Sequence, residues 1–324
     1  MLNGTVTKST GSWYNVQLDA PTPGGNTTLK CRVAGRFRLD ELRLTNPIAV
    51  GDRVSVELDE NSDQETGAIR AIEPRTNYVV RQSPRKKHDL HLLASNVDQA
   101  LLITTVVNPG LKMGFLDRFL LMTEPFGIPT TLVFNKADIY SEDDLETFAV
   151  VEDIYTSIGY QVMLVSAMAD QGINELRELL KGKRTLLSGQ SGVGKSTMVN
   201  AVEPGLNLRT GELSDYTGKG QHTTTFAELF PLSFGGELID TPGIKTLSFN
   251  YLKPTDVAHN FREIFALSSE CRFGGSCLHR SEPGCAVKES VEQGDDRVTD
   301  LRYHSYLTLL EEVEAQNYWE RRKV

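Results

Sequence analysis

The sequence lacks most of what would mark a secreted, membrane-spanning or uniformly basic protein. Its opening residues, MLNGTVTKST, have no apolar core of the kind a signal peptide needs, so no leader is expected. The longest apolar stretch, around residues 100–107, is broken by two threonines. It falls far short of the roughly 20 residues that cross a bilayer, so no membrane role is expected. Positive charge is in deficit: 34 Lys and Arg stand against 43 Asp and Glu, a net −9. That balance excludes a uniformly basic nucleic-acid binder and leaves room for a local patch. Residues 81–87 (RQSPRKK) carry four positive charges and no acid, which fits either a solvated linker or a phosphate-contacting segment. Only four cysteines occur. Cys31 stands alone and the other three fall within residues 271–285. In a large cytoplasmic chain such a cluster points to metal rather than disulfide. There is no internal repeat and no low-complexity tract.

What is present is 324 residues of ordinary globular composition, 39% hydrophobic, enough for two or three domains. Residues 1–75 alternate apolar and polar positions in short runs, as at Tyr14, Val16 and Leu18, at Leu29, Cys31 and Val33, and at Val54, Val56 and Leu58. Turn-rich segments at 21–25 and 61–67 separate them. Short strands without a helix predict a small OB-like β-barrel, an architecture that often binds oligonucleotides. Arg32, Arg36 and Arg38 point such a barrel toward RNA.

From residue 88 to 248 the pattern changes. Strand-like runs at 100–106, 130–134, 161–165, 184–187 and 237–239 alternate with helix-like stretches at 115–124, 143–158 and 173–180. This predicts an α/β domain with a mainly parallel sheet covered on both faces. Residues 250–324 change again. One amphipathic helix is expected over 254–266, with Pro254 in its first turn, and another over 297–314 with Val298, Leu301, Leu309, Leu310 and Val313 inward. The expected boundaries are 1–80 for the barrel, 81–248 for the α/β domain and 249–324 for the helical domain.

The strongest motif is GQSGVGKS: Gly189, Gln190, Ser191, Gly192, Val193, Gly194, Lys195 and Ser196, followed by Thr197. It follows a strand-like run and precedes a helix-like one, the layout of a phosphate-binding loop. The glycines let backbone N–H groups turn around phosphates. Lys195 brings a compact charge to the β- and γ-oxygens, the Ser196 hydroxyl can ligate Mg²⁺, and the helix N-terminus adds its dipole.

Asn135, Lys136, Ala137 and Asp138 select the base. A carboxylate at Asp138 accepts hydrogen bonds from the N1–H and exocyclic amine of guanine, a donor pair that adenine lacks. This argues against an ATPase. Ser166 and Ala167 follow the run QVMLV and resemble the backbone contact to guanine O6. Asp240, Thr241, Pro242 and Gly243 follow the run ELI. Asp240 is expected in the Mg²⁺ shell and the Gly243 N–H at the γ-phosphate. Between these lies GKGQHTTT, residues 218–225. Thr224 is the favoured switch hydroxyl for Mg²⁺, with Thr223 and Thr225 as alternatives. A β-branched strand start is the plainer reading of the three threonines.

Along the chain the order is NKxD, SA, P-loop, threonines, DTPG, a rotation of the usual GTPase order. A parallel sheet tolerates such a permutation because its site is built from strand ends. This order, with a barrel before it and a cysteine cluster after it, resembles the RsgA (YjeQ/YloQ) family of circularly permuted GTPases. GQSGVGKST, HTTT, DTPG and CRFGGSCLHRSEPGCAV carry the resemblance over essentially the whole chain.

The resemblance implies a permuted P-loop GTPase with an OB-like barrel and a zinc-binding helical domain. Cys271, Cys277, His279 and Cys285 match the family's zinc ligands and would form one closed structural Zn²⁺ site. It implies GTP and GDP as ligands, the small (30S) ribosomal subunit and its rRNA as partners, action late in that subunit's maturation, and stimulation by it. A monomer is expected. Many GTPases orient the attacking water with a Gln just after DxxG. Here that position is Ile244, and His222 resembles the residue the family uses, with Lys195 as the second catalytic group. Switch II would run from Gly243 straight into the zinc domain, so loss of the γ-phosphate could move that domain relative to the barrel, a GTP-gated clamp on rRNA. The reading from a different class is a GTP-gated binding module that does not hydrolyse.

Overall fold

The computed structural model describes residues 1–34, 44–59, 65–82, 89–206, 227–241, 249 and 251–321, with side chains to residue 316. Among the described residues, five strands open the chain: β1 (Leu2–Ser9), β2 (Tyr14–Leu18), β3 (Thr28–Val33), β4 (Arg53–Leu58) and β5 (Thr66–Ile72). Pairings β1–β2, β2–β3, β3–β5, β5–β4 and β4–β1 close a circle. This is the small barrel expected from the alternation, with five strands among the described residues, and its inward positions are the apolar ones: Val6, Tyr14, Val16, Leu29, Cys31, Val54, Val56 and Ile69 are buried together. Strands β1 and β5 went unread in the sequence, since polar residues interrupt their alternation.

A hairpin follows, β6 (Tyr78–Gln82) and β7 (Leu90–Ser95), where a basic linker is the simpler sequence reading. It seats the barrel. Asp52 is fully buried and accepts from Arg75 Nε at 2.7 Å, Ser95 Oγ at 2.6 Å and the Ala49 N–H at 2.8 Å. A buried carboxylate with a charged and two neutral donors is satisfied, which a lone one is not.

The α/β layer comprises β8 (Gln99–Thr104), α1 (Met113–Thr123), β9 (Thr130–Phe134), α2 (Glu142–Ser157), β10 (Gln161–Leu164), α3 (Ile173–Leu180), β11 (Arg184–Gly189), α4 (Lys195–Val202), β12 (Glu228–Pro231) and β13 (Glu237–Asp240). The spatial order β10-β9-β8-β11-β13 is parallel throughout, and β12 joins its edge antiparallel. Alternate residues of β8 serve opposite faces. Leu101 and Ile103 pack with Ile173, Leu176 and Met198, while Ala100 and Leu102 pack with Leu116, Phe119 and Phe148. Both faces are covered, as the continuous apolar runs require. Lys8 of β1 bridges to Glu228 of β12, so barrel and α/β layer form one eleven-stranded sheet.

Four helices end the chain: α5 (Pro254–His259), α6 (Arg262–Ser268), α7 (Ala286–Gln293) and α8 (Asp300–Arg321). The single helix expected over 254–266 is two, broken at residues 260–261. The Asn260 side chain bonds back to the Asp256 carbonyl at 2.7 Å, and Phe261 takes an extended conformation. The expected inner face of α8 is also corrected at one position. Leu301 is 49% exposed, and Arg302 is buried in its place. Its Nε lies 2.7 Å from Glu263, it bonds to Asp117 of α1, and its guanidinium stacks 4.4 Å from the Phe261 ring. Burying a guanidinium demands paired carboxylates, and no apolar-periodicity rule anticipates it.

Candidate nucleotide site and metal cluster

The sequence motifs converge at the carboxyl ends of adjacent parallel strands. Asn135 follows β9, Ser166 follows β10, the P-loop follows β11 and opens α4, and Asp240 ends β13. In open α/β sheets this crevice is where ligands bind, whatever order the chain visits the strands.

Asn135 is the hub. Its buried Nδ2 donates to the Val193 carbonyl in the P-loop at 2.9 Å, and its Oδ1 accepts from the Ala167 N–H at 3.2 Å. One side chain thus ties three motifs together. Its own carbonyl accepts from Tyr140 Oη at 2.9 Å, and Tyr140 Oη accepts from the Val106 N–H at 2.8 Å. Burial pushes the Tyr140 phenol up to about 12, so it acts as a neutral spacer. Lys136 adopts a left-handed φ of 68° and its Nζ donates to the Asn108 carbonyl at 2.6 Å. Asp138 is exposed at the crevice. Its Oδ1 accepts from Ser166 Oγ, which also accepts from the Ala169 N–H at 3.1 Å. The contact fixes the carboxylate that a guanine edge would meet. Tyr140, and the 105–110 loop that receives Lys136, were missed in the sequence because neither carries a motif.

In the P-loop, Gly189 and Gly194 hold φ values of 156° and 87°. A Cβ on Gly189 would lie 2.3 Å from the Ile103 carbonyl oxygen, so the loop leaves the sheet where only glycine fits. Lys195 Nζ donates to the carbonyls of Gly189 and Gln190 at 2.8 and 2.9 Å, arched over the loop's mouth. Ser191 and Gly192 are exposed at the rim, and Ser196 is buried at the first turn of α4 beside Thr197.

Across the crevice, Asp240 Oδ1 and Thr241 Oγ1 are buried with no hydrogen-bond partner among the described residues. Burial pushes the Asp240 carboxyl up to about 7; Lys195 opposes the shift and Glu228 adds to it. An orphaned buried carboxylate oxygen within the electrostatic reach of Lys195 suits a divalent cation, so the residues present fit Mg²⁺. His222, Thr223, Thr224, Thr225, Pro242, Gly243 and Ile244 lie outside the described residues, as do Arg36, Arg38 and residues 83–87 of the basic stretch.

The second cluster is in the helical end of the chain. Cys271, Cys277, His279 and Cys285 are all buried, with ligand atoms within 4.8 Å of one another. Cys271 Sγ is 3.6 Å from His279 Nδ1 and 3.9 Å from Cys285 Sγ, and His279 Nδ1 is 3.4 Å from Cys285 Sγ. A tetrahedral centre with bonds of about 2.3 Å to sulfur and 2.0–2.1 Å to nitrogen has edges of roughly these lengths. His279 Nε2 faces Ser268 Oγ at 3.3 Å, and that hydroxyl donates to the Ile264 carbonyl at 2.9 Å. The imidazole therefore carries its hydrogen on Nε2 and turns Nδ1 toward the thiols, the usual outer support of a metal-bound histidine. The donor set fits zinc.

A model of the RsgA GTPase family matches residues 72–250, and a model of the RsgA N-terminal domain matches residues 3–69. The chain belongs to the RsgA GTPase family. It is accordingly a GTP hydrolase, which removes the non-hydrolysing module and the ATPase. Among RsgA relatives, the small ribosomal subunit biogenesis GTPase RsgA of Flavobacterium johnsoniae is 45% identical over 310 residues, covering 96% of this chain and 93% of the relative. Its namesake from Bacteroides fragilis is 44% identical over 317 residues, covering 98% and 99%. Of solved RsgA-like structures, YjeQ from Thermotoga maritima superposes with a TM-score of 0.74 at 35% identity, covering 96% of this chain and 98% of that one. YloQ, described as a circularly permuted GTPase, gives 0.70 at 30% identity, covering 98% and 96%. Among the described residues no helix is long and apolar enough to cross a membrane.

Proposed function

We propose that this GTPase acts in biogenesis of the small ribosomal subunit, late in its maturation, in the cytoplasm and as a monomer. The curated relatives carry that role in their names, at 44–45% identity over nearly the full length. The observation that carries the nucleotide reading is Asn135, which joins the P-loop and the Ser166-Ala167 turn through two hydrogen bonds. The proposed units are a barrel over 1–80, a permuted GTPase domain over 81–248 and a zinc-stapled helical domain over 249–324.

In the proposed site, Asn135 to Asp138 with Ser166 and Ala167 take the guanine. The loop from Gly189 to Ser196, with Thr197, cradles the phosphates. Ser196, Thr224 and Asp240 hold Mg²⁺, which when bound neutralises charge on the β- and γ-phosphate oxygens. Lys195 has its ammonium poised over the loop, where it can leave two backbone carbonyls for phosphate oxygens and stabilise the charge that builds on the leaving group. The Gly243 N–H senses the γ-phosphate, and His222 accepts a hydrogen bond from the attacking water. Cys271, Cys277, His279 and Cys285 hold one structural Zn²⁺, which staples a fold and does no chemistry.

The GTP-gated clamp has structural support at the exit of switch II. Phe249 is buried, its N–H donates to Gln316 Oε1 of α8 at 3.2 Å, and the Arg118 guanidinium lies 5.9 Å from its ring. Movement arriving at Phe249 would pass to α8 through this contact. The deciding experiment is GTP turnover with purified 30S subunits, 50S subunits or free RNA. Stimulation by 30S alone is expected; equal rates in all three mixtures would remove the ribosomal role and leave a generic GTPase.

A further inference from the structure

One rung of the joined sheet carries an unusual row of charge. Lys8 of β1 pairs in register with Glu228 of β12, Glu228 with Asp240 of β13, and Asp240 with Leu187 of β11. Residues directly opposite in neighbouring strands project to the same face, with Cβ atoms about 4.5–5.5 Å apart. Glu228 and Asp240 are therefore two carboxylates set side by side, an arrangement that is destabilising unless something positive intervenes. On the barrel side, Lys8 Nζ lies 2.8 Å from Glu228 Oε2. On the P-loop side, Lys195 acts on Asp240. Between them, Asp240 Oδ1 is buried with no donor among the described residues.

We propose that the Lys8–Glu228 pair sets the Mg²⁺ affinity of the nucleotide site from the barrel, Glu228 strengthening the attraction at Asp240 and Lys8 subtracting from it. The proposal rests on the nucleotide reading above and adds its regulation. Glu228 touches neither phosphate nor the reacting atoms in this scheme. It acts through Asp240 and is a positioning residue of electrostatic kind. Lys8 is one-third exposed, with a side-chain accessibility of 33%, so an anionic group arriving at the barrel can take it from Glu228. The site would then hold its cation more tightly. By linkage, Mg²⁺ in the site would favour the anion on the barrel by the same factor.

The two partners of one ion pair thus have opposite effects, which a structural salt bridge does not. In the full-length protein, GDP release is followed by fluorescence while Mg²⁺ is titrated. Glu228→Gln should raise the Mg²⁺ concentration needed for half-maximal retention, and Lys8→Met should lower it. Each shift should be about three- to tenfold, the scale of a unit charge near a divalent ion in a screened setting. The double variant should return close to the parent. GDP affinity in excess chelator should stay constant across the set, which reports intact folding. Shifts in the same direction, or shifts below about twofold in both, would overturn the proposal. A parent protein that binds no guanine nucleotide would overturn the nucleotide reading instead.

Discussion

Gly194 and Asn135 are packed so closely that a Cβ on the glycine would fall 2.5 Å from Asn135 Nδ2. The phosphate loop and the base-recognition turn are thus built against each other, though 58 residues separate Asn135 from the Val193 carbonyl it bonds. Gly194 also holds a φ of 87°, where a side chain costs about 1–3 kcal/mol. Gly194→Ala should weaken GTP and GDP binding about tenfold or more while leaving zinc content unchanged. Nucleotide titration by calorimetry checks this, and parent-like affinity would show that the contact yields without consequence.

Asp138→Asn tests the base assignment. The amide presents a donor where guanine also presents one, whereas xanthine presents an oxygen there. Affinity should move from guanine toward xanthine nucleotides by at least about tenfold in ratio. Competition between GDP and XDP measures it, and an unchanged ratio would remove Asp138 from the base site.

The metal cluster gives a stability test. Its cysteines share the apolar core with Phe261, Ile264 and Tyr306, so losing the ion would loosen packing as well as ligation. Burial, with Cys285 and Cys271 close by, pushes the Cys277 thiol up to about 12, a group that yields its proton readily only to a cation. Elemental analysis should find one zinc per chain, and Cys277→Ser should lose it. The variant should also unfold at lower urea, by several kcal/mol on the scale of structural zinc sites. Retained zinc with unchanged urea stability would refute a stapling role.

His91 supplies a pH dependence at the seam of barrel and hairpin. Burial, helped by Arg81, depresses its imidazole to about 4. Its Nδ1 lies 2.9 Å from Thr45 Oγ1, whose hydroxyl donates to the Leu90 carbonyl at 3.3 Å. The ring is neutral when folded and gains a proton on unfolding, so the unfolded state binds more protons as acidity rises. Stability on this account is complete above the ordinary value near 6.5 and is lost as pH falls from there through about 4. His91→Gln should flatten the decline between those limits in urea unfolding. A variant as acid-sensitive as the parent would place the titration elsewhere.

Much of this was legible in the sequence. The P-loop, NKxD and DTPG motifs needed no structure, because phosphate and guanine chemistry constrain residue type and spacing tightly. Helix α3 was bounded to the residue by its apolar periodicity. What escaped has two causes. Strand β12 and the hairpin β6–β7 are short and lack a clear alternation, although they pair with chain neighbours, whereas the Arg302 network is defined by partners far away in sequence. Arg302 reads as a surface charge on any helical wheel, and only Asp117, 185 residues earlier, and Glu263, 39 residues earlier, make its burial sensible. Glu228 is silent for the same reason, since its meaning lies in the registers on either side.

The join between β1 and β12 sets a limit on dissection. The family models meet near residue 70, which invites expression of the two parts separately. A fragment beginning at residue 72 would uncover the outer backbone edge of β12 at Glu228 and the apolar face of β7 at Leu90, Leu92 and Ala94, which residues 44–50 of the barrel side now cover. Open backbone edges beside bared leucines are templates for intermolecular strand addition. Such a fragment would be prone to aggregate, and its nucleotide kinetics would describe a molecule whose edge strand has lost its neighbour.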